Sequence, residues 1–171
     1  LISGESEGLI DVVASSLMNL FNKKTLKRHI RADPVPANHL GALEAWGELI
    51  RSGRIYALKE TALHGQFTST IVEGVLGYHG PTGGAEYTVA TEQAILRGSV
   101  DLALGRFGGK TPEILAPFEL KGADTRDLDA IMPGRNKSPV QQAWEYAMNA
   151  RGAKWVLVSN YIELRLYGFG E

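Results

Sequence analysis

The chain has 171 residues, 44% hydrophobic and 22% charged, enough for one full core and too few for two comfortable ones. Its 18 basic and 19 acidic side chains leave a net charge of -1, so no global field marks a nucleic-acid or anionic-membrane partner, and any such contact must rest on local patches. The lack of cysteine excludes a disulfide framework and a thiolate metal site. No apolar run approaches the ~20 residues of a membrane span, and "LISGESEGLI" has no signal-peptide pattern, so the expectation is a soluble intracellular protein without a membrane partner. Because the chain opens on Leu1, it is also expected to be a piece of something longer.

The first eighty residues read as helical. "SEGLIDVVASSLMNLF" spaces Leu9, Val12, Val13, Leu17, Leu20 and Phe21 as a helix does, and "HLGALEAWGELIRSG" repeats this with Leu40, Leu43, Trp46, Leu49 and Ile50 before Gly53 as a stop. The proline-broken connector "ADPVPANH" separates them. A third helix is expected through "KETALHGQFTSTIVEGVLGY", with Leu63, Phe67, Ile71, Val75 and Leu76 on its buried stripe and Gly77 near its end. From "GGAEYTVATE" to "PFELKG" the pattern shortens to strand-length segments divided by glycine-rich turns, which predicts three antiparallel strands. "SPVQQAWEYAMNARG" is the best-marked helix, with Ser138 as N-cap, Pro139 at its first position and Gly152 as its stop. "KWVLVSN" and "YIELRLYGF" are two further strands joined at Ser159-Asn160. Residues 1–55 are therefore read as an N-terminal helical extension and 56–171 as an α/β core, within one compact domain.

Two charges interrupt strands that should be buried. Asp101 lies in "SVDLAL", and Glu119 and Lys121 flank Leu120 in "PFELKG", two positions apart and so on one strand face. If Asp101 and Glu119 share a face, their oxygens form a hard-ligand site of the kind Mg²⁺ uses, and Lys121 can hold a water or stabilise charge developing on phosphorus. On the following helix Gln142 and Tyr146, at i and i+4, share a face.

Asp101, then Glu119-Leu120-Lys121, then a helix carrying Gln-x-x-x-Tyr resembles the PD-(D/E)XK nuclease superfamily. The wider text, "ALKETALHGQFTSTIVEGVLGY", "PFELKGADTRDLDAI" and "SPVQQAWEYAMNARGAKWVLVSNYIELRLYG", is similar to the N-terminal endonuclease region of type IIG restriction-modification enzymes, over roughly Leu40 to Phe169. The resemblance implies an α-β-β-β-α-β core, a central mixed sheet flanked by helices, and Mg²⁺-dependent cleavage of double-stranded DNA with Mn²⁺ as substitute, in a prokaryotic cytoplasm. It implies Asp101, Glu119, Lys121 and Gln142 as catalytic residues, with metal held by Asp101, Glu119, the carbonyl of Leu120 and additionally Glu60. Arg135, Lys137 and Tyr146 are the expected DNA contacts. Implied partners are the methyltransferase and target-recognition domains of a parent chain and, since one such site cuts one strand, a transient dimer on DNA. Val100 stands where the superfamily name has proline, and the methyltransferase motif N-P-P-[YF] is absent from these residues.

Plainer readings stand beside these. Asp101 and Glu119 would equally serve as ion-pair partners of Lys121 and Arg97 on a solvated sheet face, Gln142 and Tyr146 as edges of the core, and Glu60 as a first-turn acid complementing the helix dipole. Asp124, Asp127 and Asp129 read as turn formers. The basic run "NKKTLKRHIR", with Lys23, Lys24, Lys27, Arg28 and Arg31, reads as the wet face of a helix before it reads as a phosphate grip. The four histidines lack ligand-like spacing. The rival functions are a nuclease-like fold that only binds DNA or docks a partner, and a RecB-like repair nuclease, which Gln-x-x-x-Tyr also permits.

Overall fold

Glycines and prolines punctuate the fold where the sequence leads one to expect. In a computed structural model, residues 23–29 and 34–169 are described, and the expected helix over 6–21 lies outside them. Helix α1 (Lys23–His29) precedes the main unit, which begins at Pro36; Lys24, Lys27 and Arg28 are exposed on it. Helix α2 (Ala37–Arg51) ends just before Gly53, whose φ of 71° places it in the left-handed region that glycine enters without penalty. A 3₁₀ turn (Arg54–Ala57) leads to α3 (Glu60–Phe67), which passes into a π-helical segment (Thr68–Glu73). Strands β1 (Tyr87–Ala94), β2 (Ser99–Phe107) and β3 (Glu113–Leu120) follow, then α4 (Pro139–Asn149), β4 (Trp155–Ser159) and β5 (Leu164–Gly168).

The sheet is mixed, in the order β1-β2-β3-β4-β5. The first three strands form an antiparallel meander, as expected; β4 lies parallel to β3 after the crossover through α4, and β5 returns antiparallel. Side-chain alternation sorts the two faces. Leu102, Leu104, Phe118, Leu120 and Leu157 join Trp46, Leu63, Phe67 and Ile71 of the preceding helices in one core, whereas Val156 and Val158 pack against Ala143 and Ala147 of α4. The result is an α/β arrangement with helices on both faces. Among the described residues no helix is long and apolar enough to cross a membrane.

Helix α4 starts where Ser138 and Pro139 indicate. The Ser138 hydroxyl accepts from the Gln141 N–H at 3.1 Å and the Gln141 side chain accepts from the Ser138 N–H at 2.9 Å, a reciprocal capping box. Ser138→Ala is expected to lower stability by about 1 kcal/mol, measured by urea unfolding.

Two expectations change. The helix through 59–78 is not α-helical throughout: its second half has wider i→i+5 bonds, such as Gly74 N–H to Ser69 carbonyl at 3.1 Å. Its apolar side chains still reach the core, so the spacing of Phe67 and Ile71 does not distinguish the two helix types. Helix α2, expected within an extension ending at residue 55, belongs to the unit that carries the sheet. Trp46 is the reason: its ring lies 5.5 Å from that of Phe67 and its indole N–H donates to the Tyr161 carbonyl at 2.9 Å. Phe67 in turn meets Phe118 and Tyr161 edge-on.

Candidate active site

The C-terminal ends of the parallel strands β3 and β4 adjoin, with the Lys121 N–H donating to the Ser159 carbonyl at 2.9 Å. Such ends are the usual place for a site in an α/β sheet. Glu119 is the next-to-last residue of β3 and Lys121 the first beyond it. On the other side of β3, pairing with β2 ends at Leu102↔Phe118. Past that point the carboxylate of Asp101 continues the ladder, its Oδ2 accepting from the Leu120 N–H at 2.9 Å. A backbone donor thus fixes Asp101 next to the strand that bears Glu119.

Glu119 is fully buried. Its Oε1 accepts a hydrogen bond from the Lys121 ammonium, and its Oε2, also buried, has no partner. Burial, and next the charge of Asp101, push its carboxyl up from 4.5 to about 7, against the lowering pull of Lys121 and Arg135. Of the two carboxylates only Glu119 has an ammonium bonded to it, and on one oxygen alone. An orphaned carboxylate oxygen beside a second acid suits a hard divalent cation, which takes oxygen ligands and favours both ionised forms. Among the described residues no three His, Asp or Glu side chains converge, so an ion held by Asp101 and Glu119 would complete its shell with backbone carbonyl, water or phosphate oxygens.

Helix α4 supplies a polar relay on the same face. Arg135, in the loop before it, donates from Nη1 to Gln142 Oε1 at 3.1 Å, and Gln142 Nε2 donates to the Tyr146 hydroxyl. Burial first and the Glu119 charge second push the Tyr146 phenol up, so this ring senses the buried acid. Lys137 is engaged with Glu145. A cleft of about 510 Å³ opens beside Lys121, lined by Glu60, Asp124, Arg126, Asp127 and Arg135 among others. Glu60 is exposed, lines this cleft and is not part of any three-acid cluster among the described residues. Asp127 forms a turn with the Asp129 N–H at 2.9 Å, and Asp129 pairs with Arg165 at 2.7 Å.

One residue here carries no mark in the sequence. Tyr161, read only as the start of a strand, sits in the β4–β5 turn with φ 68° and 2% exposure, and its hydroxyl has no partner. Its carbonyl is bonded to the indole of Trp46, 115 positions away, a contact no local pattern encodes.

The raised Glu119 carboxyl has a measurable consequence. The folded state keeps this proton where the unfolded chain releases it, so the associated stability is fully present below pH 4.5 and is lost as pH rises through about 7. Glu119→Gln cannot titrate. In metal-free buffer the stability of wild type relative to this variant is expected to fall, by up to about 3 kcal/mol, between pH 4 and 8. Urea unfolding at several pH values checks it, and a pH-independent difference would contradict it.

No family model, curated protein or solved structure matches the chain.

Proposed function

We propose that this chain is a Mg²⁺-dependent DNA endonuclease domain of the PD-(D/E)XK type, the cleavage module of a type IIG restriction-modification enzyme. The observation that carries the reading is the pair Asp101 and Glu119 on adjacent strands, with Lys121 on one oxygen of Glu119 and the other oxygen left without a partner. The element order α3-β1-β2-β3-α4-β4 supports it. A fully buried carboxylate beside a second, half-buried acid has little advantage as a structural ion pair, since removing charge from water is expensive; it makes sense where a cation and a phosphate complete it.

In this reading Asp101, Glu119 and the Leu120 carbonyl hold Mg²⁺, or Mn²⁺ in its place. The ion, when bound, supplies Lewis-acid activation of the scissile phosphate. Lys121 orients the attacking water and stabilises the charge that develops on the phosphoryl oxygens. The water oxygen bonds to phosphorus in line as the water gives up a proton to solvent, the bond from phosphorus to the 3'-oxygen breaks, and that oxygen takes up a proton from solvent water, leaving 5'-phosphate and 3'-hydroxyl ends. Gln142 and Tyr146 border the buried acid, while Arg135 and Lys137 flank the approach and grip the DNA backbone. Sequence recognition and methylation belong to other parts of a parent chain, and cutting both strands requires a second copy of the domain.

The test is the chemistry of the ends. Closed circular plasmid incubated with the chain and Mg²⁺ should yield nicks that DNA ligase reseals without prior treatment. Intact plasmid, or nicks with 5'-hydroxyl ends, would contradict the proposal. The bonded Gln142–Tyr146 pair beside Glu119 also suits a RecB-like repair nuclease, which would degrade linear DNA from its ends and spare the closed circle.

A further inference from the structure

The chain between β3 and α4, from Lys121 to Ser138, forms no helix or strand. A connection longer than roughly 12–15 residues without structure of its own is ordinarily functional or disordered. This one is tied down. Asn160 Nδ2 donates to the Thr125 carbonyl at 2.8 Å, Leu128 is fully buried against α4 and accepts from the Val140 N–H at 3.2 Å, and Arg165 pairs with Asp129 at 2.7 Å. Further on, the Met132 N–H donates to the Lys137 carbonyl at 3.1 Å and the Arg135 N–H to the Met132 carbonyl at 3.2 Å. These bonds close a tight turn in which Gly134 and Asn136 take left-handed φ values of 78° and 53°.

The tip of this fixed loop is apolar. Ile131 is 68% exposed, and among the large apolar side chains of the described residues only Leu96 is more so. Pro133 is exposed as well. Ile131, Met132 and Pro133 line the cleft of about 510 Å³ together with Lys121, so the tip and the end of β3 share one cavity. Its charges balance, since Lys121, Arg126 and Arg135 are matched by Glu60, Asp124 and Asp127. Net charge therefore does not draw a polyanion in, and holding one there takes contacts of another kind. A tip of three residues is also far smaller than the roughly 800 Å² per partner of a stable protein interface.

We propose that the 121–137 loop is a DNA-groove arm, and that Ile131 at its tip packs against sugars and base edges of a duplex whose scissile phosphate lies at Lys121. An aliphatic side chain cannot bond a phosphate, and what it meets in a groove is sugar and base carbon, thymine methyls included. Arg126, exposed on the same loop, takes a neighbouring phosphate. This rests on the nuclease reading and deepens it, because the apolar tip becomes a second anchor that fixes the duplex relative to the candidate site.

The two kinds of contact differ in salt dependence. A phosphate contact releases counterions and steepens the fall of affinity with salt, and an apolar one does not. The experiment is binding of the chain to a short fluorescent duplex, with Ca²⁺ replacing Mg²⁺, followed by anisotropy between about 50 and 200 mM salt. Ile131→Ala is expected to weaken binding about tenfold at every salt concentration, leaving the slope of log affinity against log salt unchanged. Ile131→Leu should bind within about twofold of wild type, and Arg126→Ala should flatten the slope by about one. Since Ile131 is exposed, its variants should unfold at the temperature of wild type. Ile131→Ala binding as wild type does, or a loss that varies with salt, would overturn the inference. Plasmid nicking in Mg²⁺ separates the two levels. If wild type nicks and Ile131→Ala binds the duplex as wild type does, the nuclease reading stands and the arm falls. If binding depends on Ile131 but nothing is nicked, the arm stands and the nuclease reading falls; if wild type neither binds nor nicks, both fall.

Discussion

Lys121→Met is expected to reduce Mg²⁺-dependent DNA cleavage by on the order of 10³-fold while leaving the chain folded. The substitution keeps most of the unbranched side chain and removes the one ammonium bonded to Glu119. Two losses follow. The positive charge that would stabilise the developing charge on phosphorus is gone, and Glu119, already raised to about 7 by burial and Asp101, rises further. Glu119 then neutralises itself by binding a proton, which limits the damage to stability to roughly 1 kcal/mol and makes cation binding harder near neutral pH. Higher pH or excess Mn²⁺ should therefore restore binding of the ion without restoring the rate. Single-turnover cleavage across pH 6.5 to 9, with thermal unfolding alongside, checks both halves. A variant that cleaves as wild type does would remove Lys121 from the chemistry, and one that unfolds would make the pair structural.

Gly105→Ala is expected to be strongly destabilising. Gly105 lies where the register between β2 and β3 shifts, and a Cβ placed there would stand 1.9 Å from the Glu113 carbonyl oxygen and 3.0 Å from its carbon. Both are backbone atoms of the paired strand, so no side-chain rotation relieves the clash and the strands must separate locally. A loss of more than about 3 kcal/mol is expected. The damage should extend to function, because the same pairing ends at Leu102↔Phe118, beside the Asp101 bond to Leu120. Urea unfolding measures the first effect; a change below about 1 kcal/mol would mean that the bulge accommodates a methyl group.

The order of the elements was legible because each carries a local signal. Ser138 and Pro139 announce α4, Gly53 ends α2, and short alternating runs mark the strands. Asp101 and Glu119 stood out as charges inside apolar runs, and Gln142 and Tyr146 through their helical spacing. What could not be read is set by distant contacts. Trp46 joins α2 to the sheet through Tyr161, the π-helical turn at Thr68–Glu73 preserves the apolar spacing of an α-helix, and Tyr161 is buried in a turn against the Phe67 ring of a distant helix. The partnership of Arg135 with Gln142 is likewise a product of how the 121–137 loop folds back.

Whether Glu119 carries metal-dependent cleavage is decided by nicking of supercoiled plasmid in Mg²⁺ by wild type beside Glu119→Gln, a variant that keeps the shape of the side chain and removes its charge. Nicked circles are expected with wild type and none with the variant at equal protein concentration. Plasmid left supercoiled by wild type, or nicked equally by both, would contradict it.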